Sequence, residues 1–212
     1  MLTNIVKYDF PWTYFTISNC LTDKTFLKIK VLSEYILNNI QNSTEKIQYN
    51  ILNNYDDLDP ICKEEDTWFL KNKHSNIMLN NLYEKILNEL CVYFENMLLD
   101  FDLKKYHISI KYNIVLPFFG YKTKNYTKIH TDITYKKYAA VLYISDFNLG
   151  TLFYDQYYES IDTKPVKIEK WEPNKLIFFE RTDNSWHNFK NPFDKHRVCL
   201  NIDMYNGDYN AN

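Results

Sequence analysis

The apolar residues of this 212-residue chain repeat with one period before residue 100 and another after residue 107. In "LNNLYEKILNELCVYFENMLLDF", Leu79, Leu82, Tyr83, Ile86, Leu87, Leu90, Phe94, Met97 and Leu98 recur at i, i+3, i+4 and i+7. That is the spacing of one helix face, and it predicts a single amphipathic helix over roughly 77–100. A shorter helix from about Thr22 to Ile40 carries Phe26, Ile29, Leu32, Ile36 and Leu37 on one side. Beyond residue 107 the apolar residues alternate. "HISIKYNIVL" alternates Ile108, Ile110, Tyr112 and Ile114, "HRVCLNIDM" alternates Val198, Leu200, Ile202 and Met204, and "YAAVLYIS", "TLFYD", "PVKIEKW" and "KLIFFE" lie between them as short strands. Many short strands with no helical pattern among them predict a sandwich or jelly roll packed against the helices. The expected class is therefore mainly β with flanking helices (α+β), the N-terminal helices covering one sheet. We expect one domain over 1–212, with a strand and supporting helices in about 1–105 and the β core in about 106–205.

Composition narrows the function classes. A formal charge of −2 and an isoelectric point near 6.2 give no global attraction for a polyanion, so a dedicated nucleic-acid protein is disfavoured. Cys20, Cys62, Cys91 and Cys199 are far apart and form no Cys-x-x-Cys pair, so they read as reduced thiols rather than zinc ligands or disulfides. The N-terminus lacks a signal-peptide pattern and no long apolar run occurs, so the expectation is a soluble, cytoplasmic protein without a membrane partner. With only three glycines, turns must use Asn and Asp, which tolerate left-handed backbone. The acid-rich stretch "NNYDDLDPICKEEDTW" reads as a solvated surface loop, and whether residues 52–75 form a lid is left open.

His130 and Asp132 are i and i+2 in "KIHTDITYKKYAAVLYISD", so along an extended segment they point to one face. A non-haem Fe(II) site needs two histidines and one carboxylate on one octahedral face. His187, in "DNSWHNF", follows the strand "KLIFFE" and supplies the second histidine where a jelly roll brings the chain back. A His-x-Asp pair also arises by chance, and a lone strand histidine is usually packed or solvated. Arg197, ten residues after His187, sits on a strand where it alternates away from Val198 and Leu200. A guanidinium on a barrel interior needs a planar anion, either an acidic side chain or the distal carboxylate of 2-oxoglutarate. The ordered series His-x-Asp, His, then Arg is what chance does not readily supply.

On these motifs the sequence resembles the Fe(II)/2-oxoglutarate-dependent oxygenases with a double-stranded β-helix core, and within them the prolyl hydroxylase-like branch of phage and bacterial type. The resemblance covers roughly residues 107–205, with further support from "DFPWTYFTISNCLTDKTFLKI". "NLGTLFYD" stands where the family has Gly-Gly-x-Thr, with Gly150 and Thr151 retained. "PNKLIFFERTDNSWHNF" is similar to the strand and turn of the distal histidine, and "HRVCLNI" to the strand of the basic anchor. The resemblance implies His130, Asp132 and His187 as catalytic iron ligands and Arg197 as anchor for 2-oxoglutarate. It also implies Tyr143, in "VLYIS", as a second contact to that carboxylate, the alternative being a plain core tyrosine. Tyr121 is a further candidate. Cys199 departs from the usual Ser or Thr, and Asn174 and Lys175 replace a usual glycine.

The resemblance further implies a hydroxylase of an unactivated C–H bond that uses molecular oxygen and decarboxylates 2-oxoglutarate to succinate, with ascorbate as a supporting reductant. A protein or peptide substrate is the expectation of the branch. A hydroxylase of a free amino acid, sugar or other small metabolite is the alternative. Asp132 disfavours halogenation, for which relatives carry a small residue in its place. Asp203 stands where nucleic-acid demethylases carry a second arginine. From another class, a non-catalytic cupin-like metal- or ligand-binding module explains the strands, His130 and Asp132, but not Arg197.

Overall fold

A computed structural model describes residues 4–42, 67–70, 77–98, 101–115, 126–160 and 162–206. The elements run β1 (Ile5–Tyr8), β2 (Tyr14–Ile17), α1 (Asp23–Asn42), β3 (Thr67–Leu70), α2 (Ile77–Met97), β4 (Tyr106–Val115), β5 (Lys136–Tyr143), β6 (Thr151–Phe153), β7 (Lys167–Glu169), β8 (Leu176–Glu180), β9 (His187–Phe189) and β10 (Arg197–Asn206). Seven strands form one antiparallel sheet in the order β1-β2-β8-β5-β10-β4-β3, and three form a second in the order β7-β6-β9. Residues 126–130 extend the smaller sheet, with antiparallel bridges Tyr126↔Lys190 and His130↔His187. Two sheets built this way are the expected jelly roll.

The period of two explains which face each strand residue takes. On the outer side of the large sheet, Tyr138, Ala140 and Leu142 of β5, Leu176 and Phe178 of β8, and Val198, Leu200, Ile202 and Met204 of β10 are buried. They form one core with Ile29 of α1 and Leu82, Tyr83, Ile86, Leu87, Leu90 and Phe94 of α2. Each fully buried Leu, Ile or Phe contributes about 1.5–3 kcal/mol, so this face holds the helices to the sheet. The helices are also tied at one end. Glu89 of α2 accepts hydrogen bonds from Thr22 N (2.8 Å) and Thr25 Oγ1 (2.5 Å), which puts a carboxylate on the positive N-terminus of α1.

The opposite faces meet between the sheets, where Trp12, Tyr14, Ala139, Tyr143, Phe153, Ile177, Phe179 and Cys199 pack together. Arg197, Asp203 and Tyr205 of β10 are buried on this inner side as well, so β10 is covered on both faces. The turn before β8 uses special backbone. Asn174 lies at φ 62° just before β8, and its side chain accepts from Leu21 N (3.0 Å) and donates to Leu21 O (2.8 Å). The asparagine therefore serves the turn in place of glycine and also fastens the segment entering α1.

The expected helices and most expected strands are present, with ends shifted by a few residues. One expectation needs correction. Thr67 and Trp68, read from sequence as the tail of a surface loop, belong to β3, which pairs with β4 at Thr67↔Asn113 to Leu70↔Ile110. An edge strand of four residues that directly follows a run of acids carries too little alternation to be seen in sequence. The rest of that acidic stretch lies outside the described residues.

Candidate active site

The metal-ligand candidates come together because β9 and the edge segment before β5 share hydrogen bonds. His130 N donates to His187 O (3.1 Å) and His187 N donates to His130 O (2.9 Å), which sets the two imidazoles side by side with ring centroids 4.6 Å apart. Asp132 follows on the same face. One ligand atom from each of His130, Asp132 and His187 lies within 4.8 Å of the others, close enough for all three to hold one ion.

Their protonation suits that task. His130 Nδ1 is 2.8 Å from Lys128 O and His187 Nδ1 is 2.9 Å from Ser185 O. A carbonyl only accepts, so both Nδ1 atoms carry hydrogen and both Nε2 lone pairs are available for a metal. Burial, together with the neighbouring His130, pushes the His187 imidazole down to about 4, so it is neutral at pH 7. Burial alone raises the Asp132 carboxyl, but the Lys136 ammonium and then the two imidazoles outweigh it and hold the group below the usual carboxylate range. Lys136 Nζ reaches Asp132 Oδ1 at 2.9 Å and Asp203 Oδ1 at 2.8 Å. Asp132 thus keeps Oδ2 for an ion. Arg181 Nε donates to Asp132 O at 2.9 Å and pins the backbone of the same turn. Trp12 and Phe179 pack edge-on against His187, at 6.5 and 5.0 Å between centroids.

Farther along β10, Arg197 is only 2% exposed. Its guanidinium lies 4.3 Å from the Phe189 ring centre and 5.2 Å from that of Trp171. Nη1 donates to Cys199 Sγ at 3.1 Å, a weak acceptor, and Nε has no partner among the described residues. No carboxylate of the described residues pairs with it. A structural ion pair, the alternative reading of this arginine, is therefore not found there, and a buried cation without an anion is costly. An entering carboxylate would remove that cost, and the distal carboxylate of a dicarboxylate oxo acid would supply one.

The sequence of this protein matches no protein-family model and no curated protein. Its architecture does have counterparts. A prolyl-4-hydroxylase from Pseudomonas putida superposes with a TM-score of 0.52 at 11% identity, over 91% of this chain and 92% of that one. A prolyl hydroxylase from Trichoplax adhaerens, solved with a hypoxia inducible factor peptide fragment, gives 0.53 at 13% identity over 91% and 83%. The viral collagen prolyl hydroxylase of Paramecium Bursaria Chlorella virus-1, in its 2-oxoglutarate complex, gives 0.50 at 12% identity over 91% and 95%. The chain has the double-stranded β-helix fold of these hydroxylases. At these identities the likeness is one of architecture.

Within this fold, His130, Asp132, His187, Arg197 and Tyr143 all reach the inner face. Tyr143 is fully buried, and burial pushes its phenol up. Its hydroxyl accepts from Thr151 N at 2.9 Å and lies 2.7 Å from Thr151 Oγ1. Its one hydrogen also has the Glu169 carbonyl oxygen within reach at 3.4 Å, so it is offered to a carboxylate only when the threonine hydroxyl donates to the phenol oxygen and the phenol hydrogen turns from that carbonyl. Tyr121 lies outside the described residues. Lys136, Asp203, Phe189 and Trp171 escaped the sequence reading as parts of the site. Lys136 had one local signal, its i+4 spacing from Asp132, and Asp203 had the alternation 197, 199, 201, 203 along β10. Among the described residues no helix is long and apolar enough to cross a membrane.

Proposed function

We propose that this protein is an Fe(II)- and 2-oxoglutarate-dependent dioxygenase that hydroxylates an unactivated C–H bond, with a prolyl residue of a protein or peptide as its target. The observation that carries the reading is one inner face that holds both a His-Asp-His cluster within ligand distance and a buried guanidinium with no acid paired to it among the described residues. A binding module of the cupin kind needs the first and has no use for the second. We take residues 1–212 as one oxygenase domain, since the helices and the site share the large sheet.

Bound Fe(II), 2-oxoglutarate and dioxygen supply the oxidising power, with release of carbon dioxide and succinate. The chain supplies the geometry. His130 and His187 bind through Nε2, with each ring fixed by its Nδ1–H bond to a backbone carbonyl. Asp132 would offer its second carboxylate oxygen, the first being held by Lys136. Arg197 would take the distal carboxylate, and Tyr143 would add a hydrogen bond when Thr151 donates to it and its own hydrogen turns from Glu169 O. Trp12, Phe153 and Phe179 pack against one another beside His187 and limit water at the ligands.

The prolyl target rests on the prolyl hydroxylases that share the architecture, one of them solved with a peptide. The test is an assay with Fe(II), 2-oxoglutarate, ascorbate and a library of proline-containing peptides. The expected result is succinate release that rises with particular peptides, matched by one added oxygen on proline. If free amino acids or sugars stimulate release and no peptide does, the peptide assignment is wrong and the hydroxylase reading stands. If 2-oxoglutarate is neither bound nor consumed, the oxygenase reading is wrong.

A further inference from the structure

Arg197 poses a problem that its own neighbours on β10 do not solve. It carries four side-chain torsions, its Nη1 contact is to a sulfur, and its Nε has no partner among the described residues. A guanidinium so weakly tied by hydrogen bonds needs something else to hold its plane. Two aromatic rings lie against it, Phe189 from the small sheet and Trp171 from the connection between β7 and β8. Phe189 is next but one to His187 on β9 and follows from the position of the metal ligand. Trp171 has no such origin.

Trp171 also touches the other residue assigned to the carboxylate end. Its ring stacks on Tyr143 with centroids 4.0 Å apart and planes 15° from parallel. The indole is itself fixed, because Nε1 donates to Ser145 O at 2.5 Å. Its backbone is fixed by Gly150. That glycine sits at φ 105°, and a Cβ there would lie 2.0 Å from Glu169 O and 3.1 Å from Trp171 N. The missing side chain lets the Trp171 segment lie directly on the approach to β6. One indole thus spans the guanidinium and the phenol, and two separate features hold it in place.

We propose that Trp171 is a positioning residue for the distal carboxylate of 2-oxoglutarate, acting by stacking on Arg197 and Tyr143. The proposal rests on the oxygenase reading above. It predicts that loss of the aromatic face weakens the hold on the distal carboxylate and leaves the metal end of the cosubstrate untouched.

The experiment is calorimetric titration of Mn(II)-loaded protein with 2-oxoglutarate and, separately, with pyruvate, which has the same chelating head and no distal carboxylate. Trp171→Leu should weaken 2-oxoglutarate by about three- to thirtyfold, the span of a cation–π contact from exposed to desolvated settings, and leave pyruvate unchanged. Trp171→Phe should restore most of the loss. Gly150→Ala, which displaces the same segment, should act in the same direction as Trp171→Leu. Unchanged 2-oxoglutarate affinity in Trp171→Leu overturns the proposal, and so does an equal loss for both ligands, which marks a structural prop. If wild-type protein fails to bind 2-oxoglutarate, or Arg197→Met binds it as well as wild type, the oxygenase reading itself has failed.

Discussion

Lys136 joins the metal-ligand candidate Asp132 to Asp203 through a largely buried pair of contacts, with side-chain exposures of 11%, 12% and 6%. Removal of one partner from such a group leaves uncompensated charge in low dielectric. Lys136→Met should therefore lower the stability of the metal-free protein by about 3–5 kcal/mol, and bound Mn(II) should recover part of that loss. Urea unfolding with and without the ion measures both. His187 gives a pH dependence. Its imidazole titrates near 4 when folded and near about 6.5 when unfolded, so between those values the unfolded chain binds the extra proton. Stability must then fall as the pH drops from about 6.5 towards 4, by linkage. His187→Gln should flatten that part of a stability-against-pH curve, and an unchanged slope would assign the acid sensitivity to other groups. At this scale the metal-ligand candidates were legible because coordination demands particular residue types at particular spacings. Trp171 was not, because its role depends on a stack between segments far apart in sequence.

At the level of elements, Asn174 links the turn before β8 to the segment that starts α1. It contributes a left-handed backbone and two hydrogen bonds to Leu21. Asn174→Ala loses those bonds and strains the turn, and should cost about 2–4 kcal/mol. Asn174→Gly relieves the backbone only and should recover part of the loss, which thermal melts of the two variants will separate. The Glu169–Lys175 ion pair, 2.5 Å long and buried, joins the end of β7 to the start of β8, and Tyr14 of β2 donates to the same carboxylate at 3.1 Å. This cluster supports the connection that carries Trp171. The sequence showed β4, β5, β8 and β10 clearly because each has an alternating or continuous apolar run. It hid β3 and the extent of the smaller sheet, whose three-residue strands are defined by partners rather than by pattern.

For the molecule as a whole, Phe178 is the meeting point of the helical layer and the large sheet. Its ring lies 5.0 Å from Phe94 of α2, 5.4 Å from Tyr138 of β5 and 6.3 Å from Phe15 of β2. Phe178→Ala should cost about 3–5 kcal/mol. It should leave metal affinity unchanged while the protein remains folded, because the site is on the opposite face of the sheet. One face therefore maintains the structure and the other is free to carry polar chemistry, and the two are connected by the alternation within β5, β8 and β10. The central claim is that the inner face holds Fe(II) and 2-oxoglutarate together. The measurement that tests it most directly is the visible spectrum of the protein with Fe(II) and 2-oxoglutarate in the absence of oxygen. The account predicts a metal-to-ligand charge-transfer band in the wild type, none in His187→Ala, and in Arg197→Met a band only at far higher 2-oxoglutarate. Iron binding with no band at any 2-oxoglutarate concentration would contradict it.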